Sequence, residues 1–147
     1  SIKCHLEGPD HSRTLLRWEK LGLVRASGKP FPEKDKAQSY NLLFPSGTLG
    51  PIYLVSNNFY VLKQYNNSDL YALSVGFLAD KLKYKNHIFY TEWQDTRKIN
   101  KNDIIKLQKK LSKNYDVGGI DGLVGYKTRR AIGLYQKENN IKQTCWP

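Results

Sequence analysis

The fold of this chain is decided by the run Gln64-Tyr65-Asn66-Asn67-Ser68-Asp69-Leu70-Tyr71-Ala72-Leu73. Apolar residues then recur at helical spacing, at Tyr71, Val75, Leu78 and Leu82. The spacing predicts a helix from residue 69 to about residue 83, with these four side chains as a stripe that faces a core. Asn66 or Ser68 can cap this helix, because a short side-chain oxygen accepts the free backbone N–H groups of the first turn.

The start of this helix also carries chemistry that suits a sugar. Tyrosine rings offer flat apolar faces, and asparagine amides both donate and accept hydrogen bonds, as an N-acetyl group requires. The alternative is an ordinary helix cap beside two core tyrosines. The local sequence leaves both interpretations open.

The residues around this helix predict short elements. Residues 12–21 predict a helix that ends at Gly22, and residues 25–40 predict an exposed loop. Residues 41–44 and 52–55 predict two short strands joined by a tight turn. Residues 59–63 are either extended or the entry to the next helix.

The C-terminal third repeats one helical pattern twice. The repeats are Ile104, Leu107, Gln108 and Leu111, then Thr128, Ala131, Ile132 and Tyr135. They predict two amphipathic helices around a glycine-rich turn at residues 116–125. That turn lacks the acidic spacing of a calcium loop and the Gly-Lys-Ser/Thr of a phosphate loop. We therefore expect most of its residues, with Asp121 and Thr128, to be structural.

Two resemblances follow from these motifs. The residues of the first are Arg13-Thr14-Leu15-Leu16-Arg17-Trp18, Gly22-Leu23-Val24, Gly50-Pro51-Ile52-Tyr53-Leu54-Val55, Asn58-Phe59-Tyr60-Val61-Leu62 and the run that begins at Tyr65. This part resembles the end of the catalytic domain of membrane-bound lytic murein transglycosylases of the B type. The residues of the second are Leu107-Gln108, Leu111, Gly119-Ile120-Asp121-Gly122, Gly125, Thr128, Ala131-Ile132 and Gln136. This part resembles a type 1 peptidoglycan-binding domain.

The resemblance implies a fold class and a domain organisation. We expect a mainly α fold with a minor β component, in which the end of a lysozyme-like catalytic domain precedes a small three-helix peptidoglycan-binding domain. The predicted boundaries are residues 1–85 for the catalytic portion, 86–99 for a docked linker and 100–147 for the binding domain. Phe89, Tyr90 and Trp93 are the expected aromatic anchors of that linker.

The family mechanism uses one glutamic acid, which protonates the glycosidic oxygen between N-acetylmuramic acid and N-acetylglucosamine. The muramic C6 hydroxyl then attacks within the molecule and forms a 1,6-anhydro product. By resemblance, Tyr65, Asn66 and Tyr71 bind substrate in the cleft, while Asn67 and Ser68 support the helix start.

The family's catalytic glutamate lies in a Glu-Ser motif upstream of the Tyr-Asn-Asn-Ser run. None of the five glutamates here is followed by serine; they are Glu7, Glu19, Glu33, Glu92 and Glu138. We therefore expect no catalytic residue in this chain. We interpret the chain as the C-terminal part of a larger enzyme that is inactive by itself.

The charge is concentrated in the second half of the chain. The total is +11, and residues 81–147 carry 15 Lys and Arg against 6 Asp and Glu. A basic domain favours an anionic partner, either the stem-peptide carboxylates of peptidoglycan or a nucleic acid. Lys106, Lys109, Lys110 and Lys113 line one predicted helix. We favour a solvated helix face for these lysines, with peptidoglycan glycan strands as the partner and no nucleic acid.

The remaining residue types predict few further sites. Cys4 and Cys145 lie near opposite ends of the chain and could form a disulfide in an oxidising compartment, although nothing in the sequence requires it. The three histidines are scattered, so we expect neither a metal site nor a cofactor. No apolar run reaches the ~20 residues of a membrane span. We expect a monomer in the periplasm, and an upstream region could associate it with the outer membrane.

Three functions remain open at this point. The favoured one is the C-terminal part of a lytic transglycosylase with an appended wall-binding domain. The second is a non-catalytic cell-wall-binding protein that keeps part of the fold. The third is a basic nucleic-acid-binding protein.

Overall fold

A computed structural model describes residues 2–83, 92–94 and 99–147. The described chain is mainly helical with a small three-stranded sheet, so the predicted fold class is confirmed. The helices are α1 (Leu15–Lys20), α2 (Asn57–Tyr65), α3 (Asp69–Lys83), α4 (Lys101–Leu111) and α5 (Tyr126–Glu138). The strands are β1 (Arg13–Thr14), β2 (Ser39–Leu43), β3 (Pro45–Thr48) and β4 (Tyr53–Val55). We call residues 2–83 the first module and residues 99–147 the second module.

The first helix is shorter than the sequence predicted. Residues 13 and 14 belong to β1, and α1 begins only at Leu15. The reason is that the Thr14 hydroxyl caps the helix, accepting the backbone N–H of Arg17 at 3.3 Å. The predicted apolar side of this helix comprised Leu15, Trp18 and Leu21; Leu15 and Trp18 are buried, whereas Leu21 is 48% exposed. Fewer than two turns of helix are thus enough to place Trp18 in the core.

The predicted pair of strands is confirmed. β2 lies between β1 and β4, and both pairings are antiparallel, with Asn41 opposite Val55. The connection between β2 and β4 is longer than the predicted tight turn and contains β3. The last residues of β2 are buried and carry the first-module core on both sides of the sheet.

Residues 59–63 are helical, as part of α2, so the extended alternative is wrong. The predicted helix over residues 69–83 is confirmed as α3. The stripe predicted to face the core is wrong, because Leu82 is 81% exposed and Leu78 is also exposed. The core contact of α3 is Ala72, which is 1% exposed and packs with Phe59.

The second module has its own apolar core. Leu111 of α4 packs with Ala131 and Ile132 of α5 and with Val117 of the connecting segment. Both predicted helical repeats are therefore confirmed. The resemblance implied three helices in this module, whereas the described residues 99–147 form two α-helices, α4 and α5, joined by the glycine-rich segment.

Gln108 explains how that segment is held. Its Nε2 donates to Thr128 Oγ1 at 3.1 Å and to the Leu123 carbonyl at 2.9 Å. Its Oε1 accepts the Gly122 N–H at 2.9 Å. Asp121 also contacts Gln108, so the predicted structural role of Asp121 and Thr128 is confirmed.

The two modules meet along a set of contacts that we call the seam. It comprises the disulfide Cys4–Cys145 and the ion pairs Glu7–Arg129 and Asp10–Arg130. The disulfide realises the pairing that the sequence left open. Its two sulfur atoms lie in the buried core with Trp18. The seam thus fixes both ends of the chain to each other.

Part of the predicted linker docks on the first module. The Trp93 ring lies 6.4 Å from the ring of Tyr53, and the Gln94 N–H donates to the Leu49 carbonyl. Phe89 and Tyr90 lie outside the described residues. Within the described part of the chain, no helix has the length and apolar character needed to cross a bilayer.

Candidate functional site

Residues 65–71 connect the last residue of α2 to the first turn of α3, and we call them the tyrosine turn. Asn66 ends α2, and its Oδ1 accepts the backbone N–H of Ser68 at 3.0 Å. The Ser68 hydroxyl accepts the N–H of Tyr71 at 3.2 Å and so caps α3. Of the two capping residues that the sequence proposed, Ser68 caps the helix and Asn66 supports the turn before it.

The side chains of the tyrosine turn are open to solvent. Tyr65 is 85% exposed and Tyr71 is 47% exposed, so neither is the core tyrosine of the alternative interpretation. Asn66 and Asn67 are exposed as well. The structure therefore places all the sequence-predicted substrate residues on one accessible turn.

A groove of about 190 Å³ lies beside the tyrosine turn, and we call it the shared groove. Lys63 and Asn67 line it from the first module. The second module contributes the glycine-rich segment and the first turn of α5, among them Gly118, Gly119, Tyr126 and Lys127. Asn67 is thus the residue of the tyrosine turn that lines this groove together with the second module.

Lys63, which lines the groove, belongs to a set of paired charges in which Glu7 and Arg129 are buried. Asp69, the first residue of α3, lies 2.5 Å from Lys63 Nζ and 2.8 Å from Arg129 Nη2. Arg129 also contacts Glu7, which is fully buried. Burial raises the pKa of the Glu7 carboxyl, and the Arg129 guanidinium opposes that rise.

Tyr60 lies close enough to Glu7, Asp69 and Arg129 to interact with their charges. Burial raises the pKa of its hydroxyl far above the ordinary value, and the nearby Glu7 and Asp69 carboxylates raise it further. Its ring meets the Tyr126 ring edge to face, with centroids 6.3 Å apart. Tyr60 is therefore a neutral packing residue between the modules.

Sequence reasoning missed Glu7, Arg129 and the role of Asp69. Arg129 directly follows Thr128 and is not a member of the apolar repeat. Its partner Glu7 is 122 positions away in sequence. No local pattern connects such residues, whereas the single cysteine near each end did hint at the neighbouring disulfide.

The site offers little to a metal ion. Among residues 2–83, 92–94 and 99–147, no cluster of three or more His, Cys, Asp or Glu side chains could hold one. The carboxylates nearest the tyrosine turn, Asp69 and Glu7, are occupied by cationic side chains. The described groups suit hydrogen bonding and ring contact.

Comparison with known proteins identifies both modules. The profile of the Transglycosylase SLT domain matches residues 1–80, and that of a putative peptidoglycan-binding domain matches residues 100–144. No curated protein matches the chain significantly.

Two similar solved structures are those of SltB3 from Pseudomonas aeruginosa, one in complex with NAG-anhNAM-pentapeptide and one with NAG-NAM-pentapeptide. Each has a TM-score of 0.80 and 32% sequence identity over 100% of this chain. This chain spans 40% of the length of each SltB3 chain. Because the first profile covers more than half of its residues, the chain belongs to the lytic transglycosylase family.

Proposed function

We propose that this chain forms the substrate-positioning end of a peptidoglycan lytic transglycosylase, followed by a wall-binding module. The enzyme would cleave the bond between N-acetylmuramic acid and N-acetylglucosamine and form 1,6-anhydromuramic acid. The observation that carries the proposal is the tyrosine turn, which exposes tyrosine rings and amides and is stabilised by the hydrogen bonds of Asn66 and Ser68. The SltB3 structures support it, since their ligands are a saccharide-pentapeptide and its anhydro form.

Within this proposal, Tyr65 and Tyr71 contact sugar rings and the Asn66 amide donates to an N-acetyl oxygen. The Asn66 Oδ1 already accepts the Ser68 N–H, which leaves its Nδ2 for a ligand. Asn67 extends the same surface into the shared groove. Ser68 acts only through the helix cap.

The acid that protonates the glycosidic oxygen would come from outside these 147 residues. Most glutamates here are engaged: Glu7 with Arg129, Glu19 and Glu33 with Lys36, and Glu138 with the Tyr115 hydroxyl. General-acid help is worth about 10²–10⁴-fold in rate. We therefore propose that this chain alone binds muropeptides and releases no anhydro product.

The second module would hold the chain on glycan strands in the periplasm. Lys109, Lys110 and Lys113 are exposed and would attract stem-peptide carboxylates. Salt would weaken that attraction, because the Debye length falls from ~10 Å at 0.1 M to ~3 Å at 1 M. Hydrogen bonds and ring contacts to the glycan would persist.

The test is calorimetric binding of NAG-NAM-pentapeptide to the whole chain. Tyr65→Ala should weaken binding by at least about tenfold, or ~1.4 kcal/mol, because we expect its exposed ring to contribute to ligand binding and not to folding stability. Leu82→Ala is the matched control, since Leu82 is an equally exposed apolar residue on α3 far from the turn. Equal affinity of the two variants would refute the proposed site.

Asn66→Asp separates ligand binding from turn support. The aspartate keeps the oxygen that accepts the Ser68 N–H but lacks the amide donor. We expect weaker muropeptide binding with unchanged thermal stability. Unchanged binding would reduce Asn66 to a turn residue.

Sedimentation with purified sacculi distinguishes wall binding from nucleic-acid binding. We expect a measurable fraction of the chain to remain bound at 1 M salt, with weaker binding to an oligonucleotide. Complete loss in salt together with equal binding to DNA would favour the nucleic-acid alternative.

A further inference from the structure

Arg129 belongs to α5 of the second module, yet its guanidinium lies among side chains of the first. The side chain is 1% exposed. Its Nε donates to both carboxylate oxygens of Glu7, at 3.1 and 3.0 Å. Its Nη2 donates to Glu7 Oε1 at 2.5 Å and to Asp69 Oδ2 at 2.8 Å. One planar group thus joins two carboxylates from distant parts of the chain.

Both carboxylates are fixed on their far sides. Glu7 Oε1 also accepts the N–H of Phe44 at 2.8 Å, directly after β2. Asp69 Oδ1 lies 2.5 Å from Lys63 Nζ on α2. Arg129 itself is held by a hydrogen bond from Nη1 to the Val124 carbonyl. The arginine therefore connects the sheet to the start of α3.

The charges in this set balance. The Glu7 and Asp69 carboxylates face the Arg129 guanidinium and the Lys63 ammonium. Glu7 and Arg129 are the buried members, and the loss of either would leave the other as an unpaired buried charge. The planar fork of arginine donors holds Glu7 through two nitrogens while it also reaches Asp69, a fixed geometry that the compact ammonium of a lysine does not reproduce.

Asp69 is part of the tyrosine turn and is the first residue of α3. Its neighbour Ser68 accepts the N–H of Tyr71 and, through its carbonyl, the N–H of Ala72. A shift of Asp69 would move both capping bonds and with them the Tyr71 ring. The geometry points to Arg129 as a positioning residue. Through Asp69, it lets the second module hold the tyrosine turn in its ligand-binding shape, an inference that rests on the proposed function of that turn.

Arg130 provides the matched comparison. It is the next residue of α5 and also crosses the seam, pairing with Asp10 at 2.6 Å. That pair is partly exposed and does not touch α3. If any ion pair across the seam sufficed, the two arginines would be equivalent.

The test compares Arg129→Lys with Arg130→Ala in the whole chain, using hydrogen exchange and NAG-NAM-pentapeptide binding. We expect Arg129→Lys to speed exchange at the Tyr71 and Ala72 amides by about tenfold, with Leu111 in α4 unchanged. Affinity for the muropeptide should fall by about tenfold or more, since a small misplacement of a positioning residue has large effects. Arg130→Ala should leave both readouts at wild-type values.

Asp69→Asn is the second variant and serves if Arg129→Lys does not fold. It keeps the Glu7–Arg129 pair and removes the charge through which Asp69 meets Arg129 and Lys63, so exchange should rise at Tyr71 and Ala72 but not at Glu7. Unchanged exchange at these two amides in the folded variants would overturn the inference. If exchange rises as expected but the wild-type chain binds no muropeptide, the positioning holds and the proposed function fails.

Discussion

Helices α3 and α5 carry the same kind of helical repeat, yet they are buried to opposite degrees. α5 packs its apolar side against α4 and directs Arg129 and Arg130 across the seam. α3 buries little more than Ala72 and leaves Leu78 and Leu82 in solvent. The difference shows that periodicity predicts a helix, whereas burial depends on the elements available to cover it.

The same contrast separates the tasks of the two helices. α5 packs against α4 and pairs with the first module through Arg129 and Arg130, so it is suited to hold the two modules together. The start of α3 presents its side chains to solvent and is suited to a ligand. Stability changes should therefore follow α5 and its contacts, while binding changes should follow the tyrosine turn.

The largest effect on stability should come from the disulfide that closes the seam beside α5. Cys4 and Cys145 are separated by 141 positions, and cross-linking so long a loop restricts the unfolded chain strongly. We expect the double variant Cys4→Ala/Cys145→Ala to lose about 4–5 kcal/mol in urea unfolding. Addition of a reductant to the wild-type chain in urea should give a similar loss. A loss near zero would mean that the seam holds without its covalent link.

A pair of core truncations compares α5 with α3 directly. Ile132→Ala removes a buried side chain and leaves a cavity, so we expect a loss of about 2–4 kcal/mol. Leu82→Ala removes an exposed one and should change stability by less than about 0.5 kcal/mol. Chemical denaturation of both variants measures the difference. Similar losses would contradict the opposite burial of Ile132 and Leu82.

The second-module core could be predicted from sequence because its repeats, Leu111 and Ile132 among them, pack against each other within one short segment. The tyrosine turn was predictable for a similar reason, since Asn66 and Ser68 act on backbone groups two or three residues away. Contacts between residues so close in sequence follow from helix periodicity and capping preferences alone.

The seam could not be predicted in the same way. Glu7 and Arg129 meet only after the whole chain has folded, and each looks like a solvated charge in its own segment. The exposure of Leu78 and Leu82 was missed for the complementary reason. Their pattern is that of a core helix, but no described element packs over them.

Substitution of Gln136 tests whether the hydrogen bonds from α5 to the C-terminal residues also contribute to stability. Its Oε1 accepts the N–H groups of Thr144 and Cys145, both at 2.9 Å. Gln136→Leu leaves these groups unpaired, and we expect a loss of about 1–3 kcal/mol. Gln64→Leu, at an exposed site on α2, is the matched control and should change stability by less than ~0.5 kcal/mol. Equal losses would show that the C-terminal residues are held by the disulfide alone.

The smallest effect should be a pH dependence of stability that arises from His5 and His11, both of which interact with Arg130 of α5. Burial lowers the pKa of His5, and Lys3, Lys137, His11 and Arg130 lower it further. Burial also lowers the pKa of His11, with Arg130 adding to the shift. The folded chain therefore binds protons at these sites less readily than the unfolded chain, whose histidines titrate at about 6.5.

The sign of the pH effect follows from this difference. The stability that neutral His5 and His11 contribute is present above about pH 6.5 and is lost as the pH falls below it. Between pH 7.5 and 5.5, the melting temperature of the wild type should fall more than that of His5→Gln/His11→Gln. Comparing the two proteins isolates the histidines, because Glu7, whose pKa burial raises, titrates in both. An equal fall of the melting temperature in both proteins would show that protonation of His5 and His11 does not destabilise the fold.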